Sequence, residues 1–535
     1  MIFSETNESL KLVVFLTFCA AISSIGLIYI INTAAEHAAN PEIAVSLYYL
    51  TLFIIIFVIY FISKRVAFIK SMAIVEHIVK NLRIRISDKV RYASLESIDK
   101  IGLSIIQARL SADTVTVSNS SYVVISAVQS VLILIFGMFY VFYLSPVSFF
   151  IALVAIVSGA LVYVFYNDIT VKQIDKAINK DDEFFQSLLN IIEGFNELKI
   201  NQLKSDDIIK YHSIIAEETE DVRNETSGIF ANSSILVQLF VYLLLGSIVF
   251  LLPQLSDVYS DTAIKVVAIL IFIMGPIETI TAAIPNFSRA NRSALFLNKL
   301  EEEIDKLADY SRYDTQYDIK EFDKITLDNV HFNYKDHDGK PLFGIGPFSM
   351  YIQQGELLFI RGGNGSGKTT FMKILTLLYQ ADGGMIKVDK TLIHKHNVKN
   401  YQNLYSMILT DFHLFDRFYG VEDLDLDRLN ELLEKMQISH KVQFKDNKFS
   451  NINLSTGQRK RLALIMALME DKQIYILDEW AADQDPVFRE HFYLNILPDL
   501  KKQGKTIIAV THDDHYFHVA DRVLKMNEGN FEDVN

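Results

Sequence analysis

Eight residues, Gly362-Gly363-Asn364-Gly365-Ser366-Gly367-Lys368-Thr369, spell G-x-x-x-x-G-K-[ST], a spacing that suits the binding of a phosphate chain. Glycines let consecutive backbone N–H groups curl around anionic oxygens, and a helix starting at the loop adds its positive dipole end. The apolar run Leu357–Ile360 before the loop and the helical pattern Thr370–Leu375 after it are the strand and helix this chemistry needs. Gly362, Asn364, Gly365, Ser366, Gly367 and Thr370 are the expected contacts to ATP. Lys368 is placed to reach the β- and γ-phosphates, and Thr369 to hold Mg²⁺.

Downstream, the apolar run Ile474-Tyr475-Ile476-Leu477 ends in Asp478-Glu479. A carboxylate at such a strand tip beside a phosphate loop suits Mg²⁺, which assigns Asp478 to the metal. A second carboxylate within reach of a water suits a general base, which assigns Glu479 to catalysis.

Leu454-Ser455-Thr456-Gly457-Gln458 resembles the L-S-G-G-Q signature of the ATP-binding cassette (ABC) ATPases, with Thr456 in place of the first glycine. A helix starting near Thr456 offers its amides and the Ser455 hydroxyl to a phosphate. The resemblance implies that this phosphate belongs to the ATP of a partner cassette. It also implies roles for Asp485 as the D-loop acid, His512 as the switch histidine and Tyr334 as the aromatic that stacks adenine. Two features depart from the superfamily. Thr410 stands where a Q-loop glutamine is expected, leaving Thr410 or Asp411 to complete the Mg²⁺ shell. Phe449-Ser450-Asn451-Ile452-Asn453 replaces the glycine-rich acidic stretch before the signature. With Asp411–Phe415, Asp478–Pro486, Thr511–Phe517 and Gly194–Lys199, the chain resembles the bacterial cyclic-peptide exporter family, which includes syringomycin and pyoverdine-precursor exporters.

These motifs need elements to position them, and the rest of the chain supplies two kinds. With 535 residues, 50% hydrophobic composition and mean hydropathy +0.22, at least two domains and a membrane-embedded part are expected. Six apolar spans can be read: Leu12–Ile31, Ile43–Ser63, Tyr122–Tyr143, Val147–Tyr166, Ile229–Leu252 and Thr262–Ala283. The connections after the first, third and fifth carry no Lys or Arg, whereas Lys64–Ser121 and Asn167–Gly228 are rich in both. The positive-inside rule then puts both long connections and both termini in the cytoplasm of a bacterial inner membrane protein. Helical spacing in Ile101–Leu110 and Phe184–Ile200 predicts that the spans continue as helices, with bends near Ile101–Arg109 and Leu203–His212. About 25 further residues per helix would project roughly 35–40 Å.

The fold expected is therefore a six-span α-helical transmembrane domain over 1–310, a linker at 311–321 and an α/β P-loop domain over 322–535. The N-terminus lacks the basic start of a signal peptide, and no leader-cleaving peptidase domain is expected ahead of the first span. A net charge of −13 argues against a nucleic-acid partner, and a single cysteine, Cys19, excludes an internal disulfide.

Ionisable and amide groups within spans are costly, so Glu278, after the probable kink Gly275-Pro276, is a candidate for substrate contact. Gln238 and Asn232 are weaker candidates. Gln129 reads as an interhelical hydrogen bonder and Lys265 as a snorkelling interface residue. Together these features predict a half-transporter that pairs with a second copy of itself among membrane lipids and exports a cyclic, lasso or siderophore-like peptide. Lipid or glycolipid flipping, multidrug efflux and an ATP-gated regulatory role are the competing classes. Lipid-stimulated ATPase without a peptide response would point to the first of these, and ATPase without flux to the last.

Overall fold

The protein is described from a computed structural model covering residues 2–39, 47–251, 260–306, 319, 321–335, 340–421 and 423–532. Side chains of 2–9, 39, 163–168, 170–171, 233–234, 251 and 260–261 are outside that description. Most of the expected linker is outside it too. The chain forms two compact units, one of residues 1–91 with 101–306 and one of 92–100 with 307–535.

The first unit is all helix: α1 (Ile2–Ala39), α2 (Leu47–Tyr92), α4 (Leu103–Ala108), α5 (Thr114–Leu144), α6 (Pro146–Glu193), α7 (Phe195–Ile200), α8 (Gln202–Gly246) and α9 (Ser260–Lys306). The short α3 (Leu95–Ile101) packs with the second unit through most of its length. Five of these stretches are long and apolar enough to cross a bilayer: Leu10–Ala38, Leu47–Tyr92, Leu103–Leu144, Gln202–Phe250 and Thr262–Lys306. The fourth expected span lies in α6, whose described apolar part is Pro146–Val162. In hydrocarbon a helix is the one open-ended form that satisfies every backbone group internally, which explains the length of these elements.

The breaks have local causes. Ser145 caps α6 by accepting the Ser148 N–H at 3.2 Å, with Pro146 in the first turn. Asn201 caps α8 through the Lys204 N–H at 3.1 Å. Gly102 turns the chain at φ +87°, a conformation that favours glycine, and a π-helical turn follows at Arg109–Asp113. A bend therefore falls at 101–109 as expected. The second does not: Leu203–His212 is straight helix inside α8, and the turn sits at Gly194–Asn201, where a cap is available.

Ala21, Ile25, Ile133, Val141, Leu244, Ile269 and Ile273 form a buried core among α1, α5, α8 and α9. Lys265 is not a free interface cation: its ammonium pairs with Glu36 at 2.5 Å. In the charged continuations of α2 and α9, past the apolar runs that end at Ser63 and Ala283, Arg85 (2.9 Å) and Lys89 (2.7 Å) bind Glu301.

The second unit is α/β. Its six-stranded sheet runs β12-β11-β3-β10-β9-β6, comprising β3 (Leu357–Arg361), β6 (Tyr405–Ile408), β9 (Ile474–Asp478), β10 (Thr506–Val510), β11 (Arg522–Asn527) and β12 (Asn530–Glu532). All neighbours are parallel except β12. A second sheet, β2-β1-β4-β5, is antiparallel: β1 (Lys324–Lys335), β2 (Pro341–Gln353), β4 (Gly383–Val388) and β5 (Thr391–Leu392). It joins the parallel sheet in one core with Leu358, Ile360, Phe371, Ile476 and Ile508. β3, β9 and β10 are covered on both faces, which is why they read as unbroken apolar runs.

Burial raises the Glu301 carboxyl, but hydrogen bonds from Lys89 and Arg85 outweigh it and hold the group below its ordinary 4.5. Its contribution to stability is then present above that value and lost as pH falls through the lowered one. We expect Glu301→Gln to lower the thermal unfolding midpoint at about pH 7 and the deficit to shrink at about pH 4. An equal deficit at both would show that the ion pairs carry no stability.

Candidate functional site

In-register parallel pairing sets Ile360, Val510 and Asp478 side by side at the carboxyl edge of β3, β10 and β9. The segments that leave these strands therefore emerge together, the placement at which open α/β sheets bind ligands. After β3, residues 362–367 form a loop that closes on the helix α10 (Lys368–Leu375). Gly367 has φ +102°, and a Cβ there would lie 2.7 Å from Ile345, so both backbone and space require glycine.

Lys368 is 6% exposed, and its ammonium donates to the carbonyls of Gly362 (2.9 Å) and Gly363 (3.0 Å). The Ser366 hydroxyl is buried without a hydrogen-bond partner among the described residues. A cation folded onto the loop and an unspent buried hydroxyl both fit a phosphate chain lying in the loop. Gly365 and Asn364 are exposed on the same loop.

Thr369 donates to the Asp478 carboxylate at 3.0 Å. Burial raises the Asp478 carboxyl above its ordinary value; hydrogen bonds from Thr369 and Thr410 oppose it and the Glu479 charge adds to it. Thr410 thus faces Asp478. Asp411 is exposed and makes no hydrogen bond or ion pair among the described residues, so the structure brings only one of the two Q-loop candidates to the acid. Hydroxyls and a carboxylate are hard oxygen donors of the kind Mg²⁺ takes.

Glu479 holds a left-handed backbone, φ +47° and ψ +39°. For a residue with a Cβ this costs about 1–2 kcal/mol, strain that locates a functional segment. The Glu479 N–H donates to Val510 O at 3.1 Å, and its carboxylate meets His512 Nε2 at 3.3 Å. The residues expected to be base and switch histidine are in contact.

Tyr334 is half-buried, its hydroxyl 3.2 Å from that of Thr370. Its ring packs edge-on against Phe332 (5.1 Å) and Tyr379 (5.8 Å), and the Tyr379 hydroxyl donates to Asp99 of α3 at 2.7 Å. The expected adenine-stacking aromatic therefore belongs to a cluster that also anchors α3.

The signature segment starts the helix Thr456–Met469. Ser455 and Gln458 form a reciprocal capping box, and a Cβ at Gly457 would lie 2.5 Å from the Asp483 carbonyl. Ser455 and Thr456 are exposed, and the segment makes no hydrogen bond to its own phosphate loop among the described residues. Asp485 caps the helix Pro486–His491 and pairs with Arg461 at 2.7 Å.

Two residues of the site escaped the sequence reading. Lys460, its side chain 3% exposed, donates to the Glu479 carbonyl at 2.8 Å and pairs with Asp483 at 2.6 Å. Arg461 lies 3.5 Å over Phe488 and donates to Gln484 at 2.8 Å. The available signal was three consecutive cations, Arg459-Lys460-Arg461, leading into the wholly apolar run Leu462–Met469. Behind His512, the Tyr493 hydroxyl bridges Thr511 (2.6 Å) and Asp513 (3.0 Å).

Two of the three substrate candidates meet each other. Gln238 donates to Glu278 at 3.0 Å, tying α8 to α9, so Glu278 has a protein partner of the kind that amides in spans supply. Asn232 makes no hydrogen bond among the described residues. The Gln129 side-chain nitrogen is buried without a partner among them, against its expected interhelical bond.

Residues 345–482 match the ABC transporter family model, and residues 8–220 match that of the ABC transporter transmembrane region. The ATP-binding protein SyrD of Pseudomonas syringae pv. syringae is 31% identical over 467 residues, covering 84% of this chain and 82% of that one. An ATP-dependent lipid A-core flippase of Wigglesworthia glossinidia brevipalpis is 23% identical, covering 84% of this chain and 79% of its own. The structure of a bacterial Atm1-family ABC exporter with ATP bound superposes with TM-score 0.78 at 14% identity, covering 100% of this chain and 95% of that one. The chain belongs to the ABC transporter family: it is a multi-pass membrane half-transporter of the exporter type, with a transmembrane region and an ATPase domain that couples ATP hydrolysis to transport.

Leaving an acceptor such as the Glu479 carbonyl without its buried donor costs about 1–3 kcal/mol, while Asp483, its side chain 44% exposed, stays solvated. Lys460→Met is therefore expected to destabilise the ATPase domain by an amount at the low end of that range. The fluorescence of Trp480, the chain's one tryptophan, reports it directly, because its ring nitrogen donates to Lys460 O at 2.9 Å. A urea unfolding curve unchanged from wild type would remove Lys460 from the support of Glu479.

Proposed function

We propose that this half-transporter works as a homodimer of six-span subunits in a bacterial inner membrane, its ATPase domains cytoplasmic, and exports a peptide of cyclic, lasso or siderophore-like type. The domain division behind this is a membrane domain over 1–310, a linker at 311–321 and an ATPase domain over 322–535. The observation that carries the reading is the hydrolytic half-site. Lys368, Thr369–Asp478 and Glu479–His512 are assembled within one chain, while the exposed signature cap at Ser455 makes no hydrogen bond to its own phosphate loop among the described residues. A second copy, placed head to tail, gives each signature segment a nucleotide to close on.

In the closed pair, backbone amides of 362–367 and Lys368 hold the phosphates, and Tyr334 lies against adenine. Mg²⁺ held by Thr369, Asp478 and Thr410 would supply charge neutralisation at the phosphates. Glu479 takes the proton of the attacking water, and Lys368 and His512 carry the charge that develops on the γ-phosphate. Ser455, Thr456, Gly457, Gln458 and Asp485 face the partner's nucleotide. The peptide assignment draws on the motifs at 411–415, 454–464, 478–486 and 511–517, which resemble those of the bacterial cyclic-peptide exporters. The second reading, lipid flipping, draws on the lipid A-core flippase, similar along most of its length. Gln238 and Glu278 contact the transported molecule only if it displaces one from the other.

Loss of a general base lowers turnover by about 10²–10⁴-fold. Glu479→Gln is expected to keep ATP binding, lose turnover on that scale and abolish ATP-driven uptake of a lasso, cyclic or siderophore peptide panel into inverted vesicles. Turnover at the wild-type rate would overturn the assignment of the base. Wild-type vesicles whose ATPase answers to lipid but which take up no peptide would favour flipping.

A further inference from the structure

Glu479 follows β9 and His512 follows β10, so their contact at 3.3 Å depends on how the short segment Thr511–Asp513 is held. The sheet fixes one end of it: the Thr511 N–H donates to Ile360 O of β3 at 3.1 Å. The Asp513 N–H donates to the Thr511 hydroxyl at 3.0 Å, which turns the chain around His512. The imidazole of His512 makes no hydrogen bond besides that to Glu479 among the described residues. The hold on it comes through its two neighbours.

Both neighbours are gripped from behind by one helix. Arg489 belongs to the helix Pro486–His491, and Tyr493 to the π-helical turn Phe492–Ile496 that continues it. Such widened turns are rare and occur often at functional sites. The Tyr493 hydroxyl donates to the Asp513 carboxylate at 3.0 Å and lies 2.6 Å from the Thr511 hydroxyl. With the phenol proton spent on Asp513, the Thr511 hydroxyl donates to the phenol oxygen and accepts from the Asp513 N–H. Three hydrogen bonds then close a ring behind His512. Tyr493 is 1% exposed, its ring stacked on Tyr516 at 4.5 Å and edge-on to Phe359 of β3 at 5.8 Å. Burial raises the phenol above its ordinary 10.0; the hydrogen bond with Thr511 opposes this and the Asp513 charge adds to it, so the phenol keeps its proton. Arg489 reaches the other Asp513 oxygen at 3.3 Å and donates to the carbonyls of Ala482 (3.1 Å) and Gln484 (3.3 Å), in the segment that follows Glu479.

We propose that Tyr493 is a positioning residue for ATP hydrolysis: with Arg489 it holds Thr511 and Asp513 so that His512 stands against Glu479. This role rests on the reading of Glu479 as base and His512 as switch histidine, and it adds the group that sets their separation. Tyr493 makes no hydrogen bond to Glu479 or to the phosphate loop among the described residues, so its effect on turnover passes through His512. A residue that served packing alone would act whether or not His512 were present.

A double-mutant cycle tests this on the full-length protein in nanodiscs, with phosphate release followed in single turnovers so that slow variants remain measurable. Tyr493→Phe removes the hydroxyl and keeps the stacked ring. Loss of a hydrogen bond to a charged group lowers a rate by about tenfold when the bond acts in the transition state. Tyr493→Phe should therefore slow hydrolysis by about that factor and leave the affinity for a fluorescent ATP analogue unchanged. In a His512→Ala background the same substitution should change nothing, since the side chain it positions is gone. Thr511→Val, which deletes the hydroxyl at the other end of the 2.6 Å bond, should reproduce the loss, and the two substitutions together should lose no more than Thr511→Val alone. A loss of equal size with and without His512, or a weakened affinity for the analogue, would mark Tyr493 as a packing residue and overturn the proposal. So would Tyr493→Phe at the wild-type rate beside a slow His512→Ala. His512→Ala at the wild-type rate would instead overturn the switch-histidine reading, and the role of Tyr493 with it.

Discussion

The ATPase site depends on parallel strand register more than on any side chain. Because β3 pairs with β10 and β10 with β9 without a slip, Ile360, Val510 and Asp478 end at the same level. A parallel ladder of this kind needs crossover connections and burial on both faces, which the flanking helices provide. Three distant segments, the loop at 362–367, Asp478-Glu479 and Thr511-His512, are then delivered to one edge with no contact among them required beforehand. A shift of one residue would turn the Asp478 side chain to the opposite face of the sheet and remove it from Thr369.

A second layer of constraint holds what the sheet delivers. Glu479 sits in a backbone conformation that costs energy, and the surrounding structure over-determines it. Its N–H is tied to Val510, its carbonyl to the buried Lys460, and the next residue, Trp480, is stacked on Phe492 at 4.3 Å. Lys460 and Arg461 belong to the helix that begins at the signature. A movement of that helix, such as the proposed closure of a partner's nucleotide onto Ser455, would reach the Glu479 backbone through Lys460 and Asp485 through Arg461. Buried cations are poor devices for stability alone. Here they serve as rigid links between two catalytic segments.

In the membrane unit the same logic appears in a different solvent. The polar groups within reach of hydrocarbon are mostly matched: Glu278 by Gln238, Lys265 by Glu36, and the Asn32 amide by the Tyr140 hydroxyl at 3.3 Å. The exceptions stand out for that reason. Among the described residues one is the Gln129 side-chain nitrogen, buried without a hydrogen-bond partner.

Much of this was legible in the residues themselves. The phosphate loop, Asp478-Glu479, the signature and the apolar spans are local patterns, in which composition and spacing within one element specify both the element and its chemistry. The sequence also carried the helix breaks where a cap announced itself, at Ser145-Pro146 and near Gly102. It did not place the second cytoplasmic bend, because Gly194 and Asn201 compete with a helical pattern on either side, and only packing decides between them. Nor did it choose between Thr410 and Asp411, adjacent residues whose roles were set by which one the end of β6 turns towards Asp478. Glu278 read as a substrate group because a lone carboxylate in a span demands a partner, and that partner, Gln238, lies 40 residues away. The role of Lys460, 19 residues from the Glu479 carbonyl it binds, is likewise a long-range fact. Local chemistry fixes what a segment can do; which groups are left over to do it depends on which ones the fold has already paired.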